Sequence, residues 1–506
     1  MTMSPRPNIV LIMCDQMRWD AAGFAGSSTV QTPHLDRLAA NGVCFENAYC
    51  ASPVCSPARA SWLTGLYPHA HLQLRNYGPG RKGEFGAYLP DNCITIGDVL
   101  KAAGYRCGIV GPWHLGDDHL PQHGFTDFWC TYRYLGEYPD PLFDYFAREG
   151  VPNLYLSDAP GMTLYENTLE FGTIEDPRQQ RTTWTVDRSL EFIRQTDDDP
   201  FFLFASVKDP HPRILVRPEL LASYPEEQIP LPASLRDPLE GKPDFQTRGK
   251  FRIRPEVTDA EFRRMVAYYY ALITHIDTQV GRILKTLEER DLLDNTIVVF
   301  ISDHGELLGD HGYVEKCLMY EASVRVPCLI SWPEQLPRGF RVAAPFAGVD
   351  LMPTLLNLAN ESPSAPIDGC SVAEAILNGR EPDHRPIFAE IASLDAIYHN
   401  AQEPEQLAAH VMVRDGNWKY IWNRFDIDEL YDLDADPGEM KNVAGNLDCQ
   451  DRIASMRGQI AEMIGHTGPG PYEWCLLERE KDNQVSGFLN PFTPAGANLA
   501  PSRRGG

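Results

Sequence analysis

The sequence predicts an α/β fold, a mostly parallel sheet flanked by helices, followed by a smaller C-terminal α+β domain. Two continuous apolar runs, Asn8-Ile9-Val10-Leu11-Ile12-Met13 and Thr296-Ile297-Val298-Val299-Phe300-Ile301, lie far apart in the chain. Runs without polar alternation fit strands buried on both faces of a parallel sheet. Between Asp259 and Leu293 the apolar residues Phe262, Met265, Val266, Tyr269, Leu272, Ile273 and Ile276 recur at helical spacing, as a crossover helix requires. Past about residue 385 the pattern changes to that of antiparallel hairpins.

Taken in order, the first run ends at Asp15-Gln16, and Cys107 to Val110 reads as a second strand leading into a polar loop. Phe201-Phe202-Leu203-Phe204-Ala205-Ser206-Val207 reads as a third, and the run from Thr296 ends at Asp303-His304. Acidic residues therefore stand at the carboxyl ends of two strands, where open α/β sheets bind ligands. Val411 to Trp422 reads as a hairpin with a polar turn around Asp415-Gly416-Asn417. These patterns divide the chain into a main α/β domain, 1–385, a smaller α+β domain, 386–490, and a tail, 491–506. The tail, rich in Pro, Gly and Ala, is expected to be flexible or to wrap a neighbouring subunit of a homo-oligomer.

Bulk composition narrows the function. The 506 residues are 43% hydrophobic and 23% charged, ordinary for a globular enzyme with a large core. A net charge of −25 argues against nucleic acid or an anionic membrane as partner, because such surfaces attract clustered Lys and Arg. An anionic substrate must then be met by local positive charge. The N-terminal apolar run is too short to span a membrane and lacks a signal-peptide cleavage pattern, so a cytoplasmic location is expected. The 12 cysteines, without a Cys-x-x-Cys pair, fit reduced thiols in that compartment.

Asp15 with Gln16, and Asp303 with His304, bring oxygen and nitrogen donors from two strand ends. An oxygen-rich set of this kind suits one divalent cation, calcium, magnesium or manganese, and the single His moves the balance a little toward manganese; calcium is the expected ion. An Asp at a strand-to-helix junction is equally common as a helix N-cap. Lys316 and His211 read the same two ways: a cation and an acid beside the metal, or a solvated lysine and a loop histidine.

Cys55 lies in Val54-Cys55-Ser56-Pro57-Ala58-Arg59-Ala60-Ser61-Trp62-Leu63-Thr64-Gly65, with Pro two and Arg four positions after the thiol. This run resembles the signature of type I sulfatases. Ser302-Asp303-His304-Gly305-Glu306-Leu307-Leu308-Gly309-Asp310-His311-Gly312, the following Lys316, and Tyr320 to Pro327 extend the likeness, as does Glu429 to Glu439 near the C-terminus. The resemblance implies an alkaline-phosphatase-like core and metal-dependent hydrolysis of a sulfate ester, the substrate being a small anionic ester or a sulfated saccharide.

It further implies that a formylglycine-generating enzyme oxidises Cys55 to formylglycine, whose hydrate is the nucleophile. Asp15, Gln16, Asp303 and His304, with an oxygen of the modified Cys55, would hold the metal; Gln16 departs from the family, which often has a second Asp there. Arg59 would steady the nucleophile, Lys316 bind the sulfate, and His114 assist in expelling the ester. His211 would contact the substrate and protonate the leaving group. Asn76 and Lys208 are candidate substrate-binding residues.

One departure bears on substrate. Gly111-Pro112-Trp113-His114-Leu115-Gly116 carries Pro112 where sulfatases commonly have a lysine. The related phosphonate monoester hydrolases also lack that lysine, so a phosphonate monoester or phosphodiester hydrolase with the same machinery is the alternative, with Lys208 as a substitute cation. A non-catalytic anion-binding protein is the third reading, and retention of the nucleophile argues against it.

Overall fold

The structure, a computed structural model, describes residues 6–77, 85–131, 140–155, 163–164, 170–196, 199–393, 407–468 and 470–477. The tail 491–506 lies outside them. The run from Asn8 forms a strand, Asn8–Asp15, buried along its whole length. It lies at the centre of an eight-stranded sheet, between Thr296–Ser302 on one side and Phe201–Pro210 on the other, and is parallel to both. Arg106–Val110 and Asp127–Trp129 continue the parallel order beyond Phe201–Pro210. On the far side Cys328–Ser331 runs antiparallel to Thr296–Ser302, followed by Val43–Phe45 and Phe340–Val342.

Side chains of successive residues leave a strand on opposite faces, so the apolar runs feed two cores. Val10, Ile12 and Cys14 join Leu203 and Phe300 in the layer covered by the helices Arg181–Arg194 and Asp259–Glu289. Ile9, Leu11 and Met13 join Phe202, Phe204 and Val299 in the layer that takes the helix Cys55–Thr64. The long helix starts on a capping box, Thr258 with Glu261, and ends at Glu289, before the expected Leu293. Leu293–Asn295 is instead a single 3₁₀ turn into the next strand.

The C-terminal sheet is antiparallel, in the order Ile387–Ser393, Leu407–Asp415, Trp418–Asn423, Glu429–Asp432, and the helix Gln450–Thr467 packs against it through residues such as Ile453, Met456 and Ile460. Buried ions join it to the loop after the metal motif. Lys419 Nζ lies 3.2 Å from Glu321 Oε1 and 2.6 Å from Glu439 Oε1, and Glu439 Oε2 accepts the Glu321 N–H at 2.7 Å. No helix among the described residues is long and apolar enough to cross a membrane.

Candidate active site

The carboxyl ends of the two central strands, Asn8–Asp15 and Thr296–Ser302, are adjacent, which puts Asp15 beside Asp303. Asp303 N–H donates to the Cys14 carbonyl at 3.0 Å, continuing the ladder one residue past the strand. Cys55 reaches the same point from across the sheet. Its helix, Cys55–Thr64, begins at Cys55 itself. Pro57 is compatible with that start because N–H groups of a first helical turn have no partner within the helix. Ser56 N–H is capped by Asn76 Oδ1 at 2.9 Å, and Ser56 Oγ donates to the His114 carbonyl at 2.6 Å. Asn76 therefore fixes the start of the helix that begins at Cys55.

Cys55 Sγ lies 3.1 Å from His304 Nε2 and 3.7 Å from Asp15 Oδ1. The donor atoms of Asp15, Cys55, Asp303 and His304 all fall within 4.8 Å of one another, and all four residues are buried. His304 Nδ1 lies 2.8 Å from the Gly305 carbonyl; the proton belongs there, leaving the Nε2 lone pair to face the cluster. Two buried carboxylates, an imidazole lone pair and residue 55 are a donor set that fits a divalent cation.

Arg59, with no exposed surface, holds the acids apart from bulk water. Its Nε donates to Asp303 Oδ2 at 2.9 Å and one terminal nitrogen to Asp15 Oδ2 at 3.3 Å. The other donates to Ser206 Oγ at 2.7 Å and to the Pro112 carbonyl at 3.1 Å. Gly111 makes that last contact feasible: at φ 95° it passes so close to the Ser206 carbonyl that a Cβ would sit 1.8 Å from it. Burial disfavours the Arg59 charge, but Asp303 and Asp15 outweigh it and raise the guanidinium's pKa.

Lys208 Nζ sits 2.8 Å from Asp15 Oδ2, with the side chain 17% exposed, so a second cation enters the site from the end of the Phe201–Pro210 strand. Lys316, also buried, donates from Nζ to Gln16 Oε1 and lies 3.0 Å from Glu315 Oε2. Burial alone would raise the Asp15 pKa; Lys208, His211, Arg59 and Lys316 together reverse this and hold it well below the carboxylate range. The Cys55 thiol is pushed up to about 12 by burial and by Asp15, so the unmodified side chain is a neutral thiol.

His211 follows the same strand, its N–H 3.1 Å from the Asp15 carbonyl and its Nδ1 2.8 Å from the Pro212 carbonyl. Burial, then Lys208 and Lys316, hold its pKa well below the usual histidine value. His114, at φ 62°, is likewise lowered by burial, Lys208 and Arg59, and Asp118 Oδ1 accepts its backbone N–H at 3.0 Å. Burial first, and then the cations that would attract a substrate anion, hold both imidazoles toward the neutral form.

The structure brings Asp15, Gln16, Cys55, Arg59, Lys208, Asp303, His304 and Lys316 into one connected cluster, with His114 and His211 in the field of its cations. Sequence reasoning missed Ser206, Trp62 and Glu306. Ser206 is the one hydroxyl in an apolar strand and Glu306 lies inside the quoted metal motif, so both carried a signal. Trp62, whose Nε1 donates to the Asp303 carbonyl at 3.2 Å, reads only as core.

Residues 7–361 match the family model described as sulfatase, and residues 309–466 match that of the N-sulphoglucosamine sulphohydrolase C-terminal region. The chain belongs to the sulfatase family. An arylsulfatase of Clostridium perfringens is 32% identical over 476 residues, covering 89% of this chain and 93% of the relative. Membership makes the protein a sulfuric ester hydrolase. Among solved structures, the phosphonate monoester hydrolase of Agrobacterium radiobacter superposes with a TM-score of 0.75 at 22% identity, over 92% of this chain and 96% of that one. A structure solved in complex with D-glucosamine-2-N,6-O-disulfate gives 0.70 at 23%, over 91% and 98%. These two likenesses establish that the sulfatase shares their fold.

Proposed function

We propose that the enzyme hydrolyses a sulfate ester with a formylglycine derived from Cys55, assisted by one divalent cation. The convergence of His304 Nε2 and Asp15 Oδ1 on Cys55 Sγ, 3.1 and 3.7 Å away, carries this reading. Sγ stands where the modified residue would bear its aldehyde oxygen. The hydrated aldehyde supplies a hydroxyl nucleophile and a second hydroxyl that releases the bound ester. The cation, calcium by the oxygen-rich donor set, would be held by Asp15, Asp303, His304 and residue 55 with Gln16 adjacent, and would polarise the ester oxygen.

The remaining roles belong to this chain's own side chains. Arg59 holds the carboxylates of Asp15 and Asp303 in place through its Nε and one terminal nitrogen. Lys316 and Lys208 face the ester's anionic oxygens, with Lys208 supplying the charge that Pro112 lacks. A bound anion offsets those cations and raises the pKa of His211 and His114, so the imidazoles become competent to hold a proton when the substrate is present. His211 then protonates the leaving alcohol and His114 assists release of the ester. Asn76 anchors the nucleophile helix through Ser56 and leaves its amide nitrogen for a substrate oxygen. The substrate is a small anionic ester or a sulfated saccharide, and maturation requires a formylglycine-generating enzyme.

A phosphonate monoester or phosphodiester activity with the same machinery is the second reading, favoured by Pro112. The test is kcat/KM on matched aryl sulfate, phosphonate monoester and phosphodiester substrates, with the mass of the Cys55 peptide measured on the same sample. Sulfate turnover in proportion to the aldehyde fraction is expected. Full activity with an unmodified thiol overturns the mechanism, and turnover of phosphorus esters alone overturns the substrate assignment.

A further inference from the structure

Beside the anion-facing Lys316 lies a buried polar chain that the proposed chemistry does not use. Gln16 Nε2 donates to Glu306 Oε2, while Gln16 Oε1 accepts from Lys316 Nζ. Glu306 Oε1 accepts two backbone N–H groups, those of Leu308 at 2.9 Å and Glu315 at 2.5 Å. Glu315 Oε2 also lies 3.0 Å from Lys316 Nζ. Gln16, Glu306, Glu315 and Lys316 are all buried, with at most 5% of their surface exposed.

An ammonium only donates, so the Gln16 atom facing Lys316 must be its oxygen. The nitrogen must then face an acceptor, and Glu306 provides one that cannot turn away, because its other oxygen is held by two main-chain donors. The two neighbours of the amide make opposite demands, and a single orientation satisfies both. If the amide were reversed, its NH₂ would meet the ammonium donor to donor, and Lys316 would be left to Glu315 alone.

We propose that Glu306 is a positioning residue: it locks the Gln16 amide so that the amide oxygen, balanced against Glu315, sets the Lys316 ammonium at the anion site. The inference rests on the reading of Lys316 as the sulfate-binding cation.

The test is the affinity of the metal-loaded, modified enzyme for inorganic sulfate, read by calorimetry and separately from turnover. Glu306→Gln keeps the shape but sets an NH₂ against either Gln16 Nε2 or the two backbone N–H groups. The expected result is a sulfate Kd weaker by about 10- to 100-fold, the usual cost of removing a partner behind a ligand-binding group. Because Glu306 acts through Gln16, Gln16→Met alone and Gln16→Met with Glu306→Gln should give the same Kd. Should Glu306→Gln fail to fold, Gln16→Met carries the test with the same expected loss. An unchanged Kd in a folded variant, or losses that add in the double variant, overturns the proposal. If the unaltered enzyme neither binds sulfate nor turns over sulfate esters, the functional reading fails, and this inference with it.

Discussion

Lys208→Met is the perturbation that asks most of the proposed site. Nζ lies 2.8 Å from Asp15 Oδ2. At that distance a unit charge pair is worth about 6 kcal/mol at an effective dielectric of ~20, before the cost of removing both ions from water. That attraction is made in the resting enzyme, so only the part that increases as charge develops on the ester counts toward rate. Loss of one preorganised donor at such a site costs about 2.7–4 kcal/mol, so kcat/KM for an aryl sulfate should fall by about 10²- to 10³-fold. Arg59 still holds Asp15 at 3.3 Å, so the variant should fold normally. Lys208→Arg keeps the charge and should lose far less. The assay is steady-state hydrolysis of an aryl sulfate with metal content and aldehyde fraction matched to the parent. A loss below about threefold, under about 0.7 kcal/mol, would refute the idea that Lys208 replaces the cation missing at Pro112.

Asp303→Ala should lose the bound metal by elemental analysis and all turnover, and should also unfold more easily. Asp303 is fully buried against Arg59, so breaking the pair costs about 3 kcal/mol, the lower end for a buried ion pair because Asp15 remains; retained metal or unchanged denaturant stability would count against the ligand assignment. Pro112→Lys should improve kcat/KM for an aryl phosphate relative to a phosphodiester, since a phosphate monoester carries about two charges near neutral pH; an unchanged preference order in a folded, modified variant would make the position irrelevant. His275, buried away from the site, has its pKa lowered to about 4 by burial. The unfolded chain therefore binds a proton near pH 6.5 that the folded chain refuses, and stability falls as pH drops from 6.5 toward 4, by about 2 kcal/mol at pH 5. His275→Gln should show a correspondingly smaller drop in urea midpoint between pH 7 and pH 5, and an identical drop would show that this histidine does not govern acid sensitivity.

The central strands were legible because burial on both faces leaves an uninterrupted apolar record, as from Asn8 to Met13, and their acidic ends pointed to the site. The edge strands were not: Phe340–Val342 and Asp127–Trp129 are three residues long and carry no period to read. The helix from Cys55 carried a mixed signal in sequence, since Pro57 looks like a helix breaker yet sits in a first turn where it breaks nothing. Lys208 was legible only as a cation near a strand end. Its meeting with Asp15 depends on two parallel strands ending together, a fact of register rather than of composition.

The same register explains how a protein with a net charge of −25 can admit an anionic ester. Around residue 55, Arg59, Lys208 and Lys316 bring three cations to Asp15 and Asp303, with Glu315 also paired to Lys316. On the proposed reading those carboxylates would also be the oxygen donors to a divalent cation, whose charge would make the local field more positive. Attraction there is screened little by salt, because the charges lie out of water. On that reading the net acidic charge and the cationic centre do not compete: substrate choice would follow how many negative charges the ester brings to these cations, with Pro112 withholding a further one.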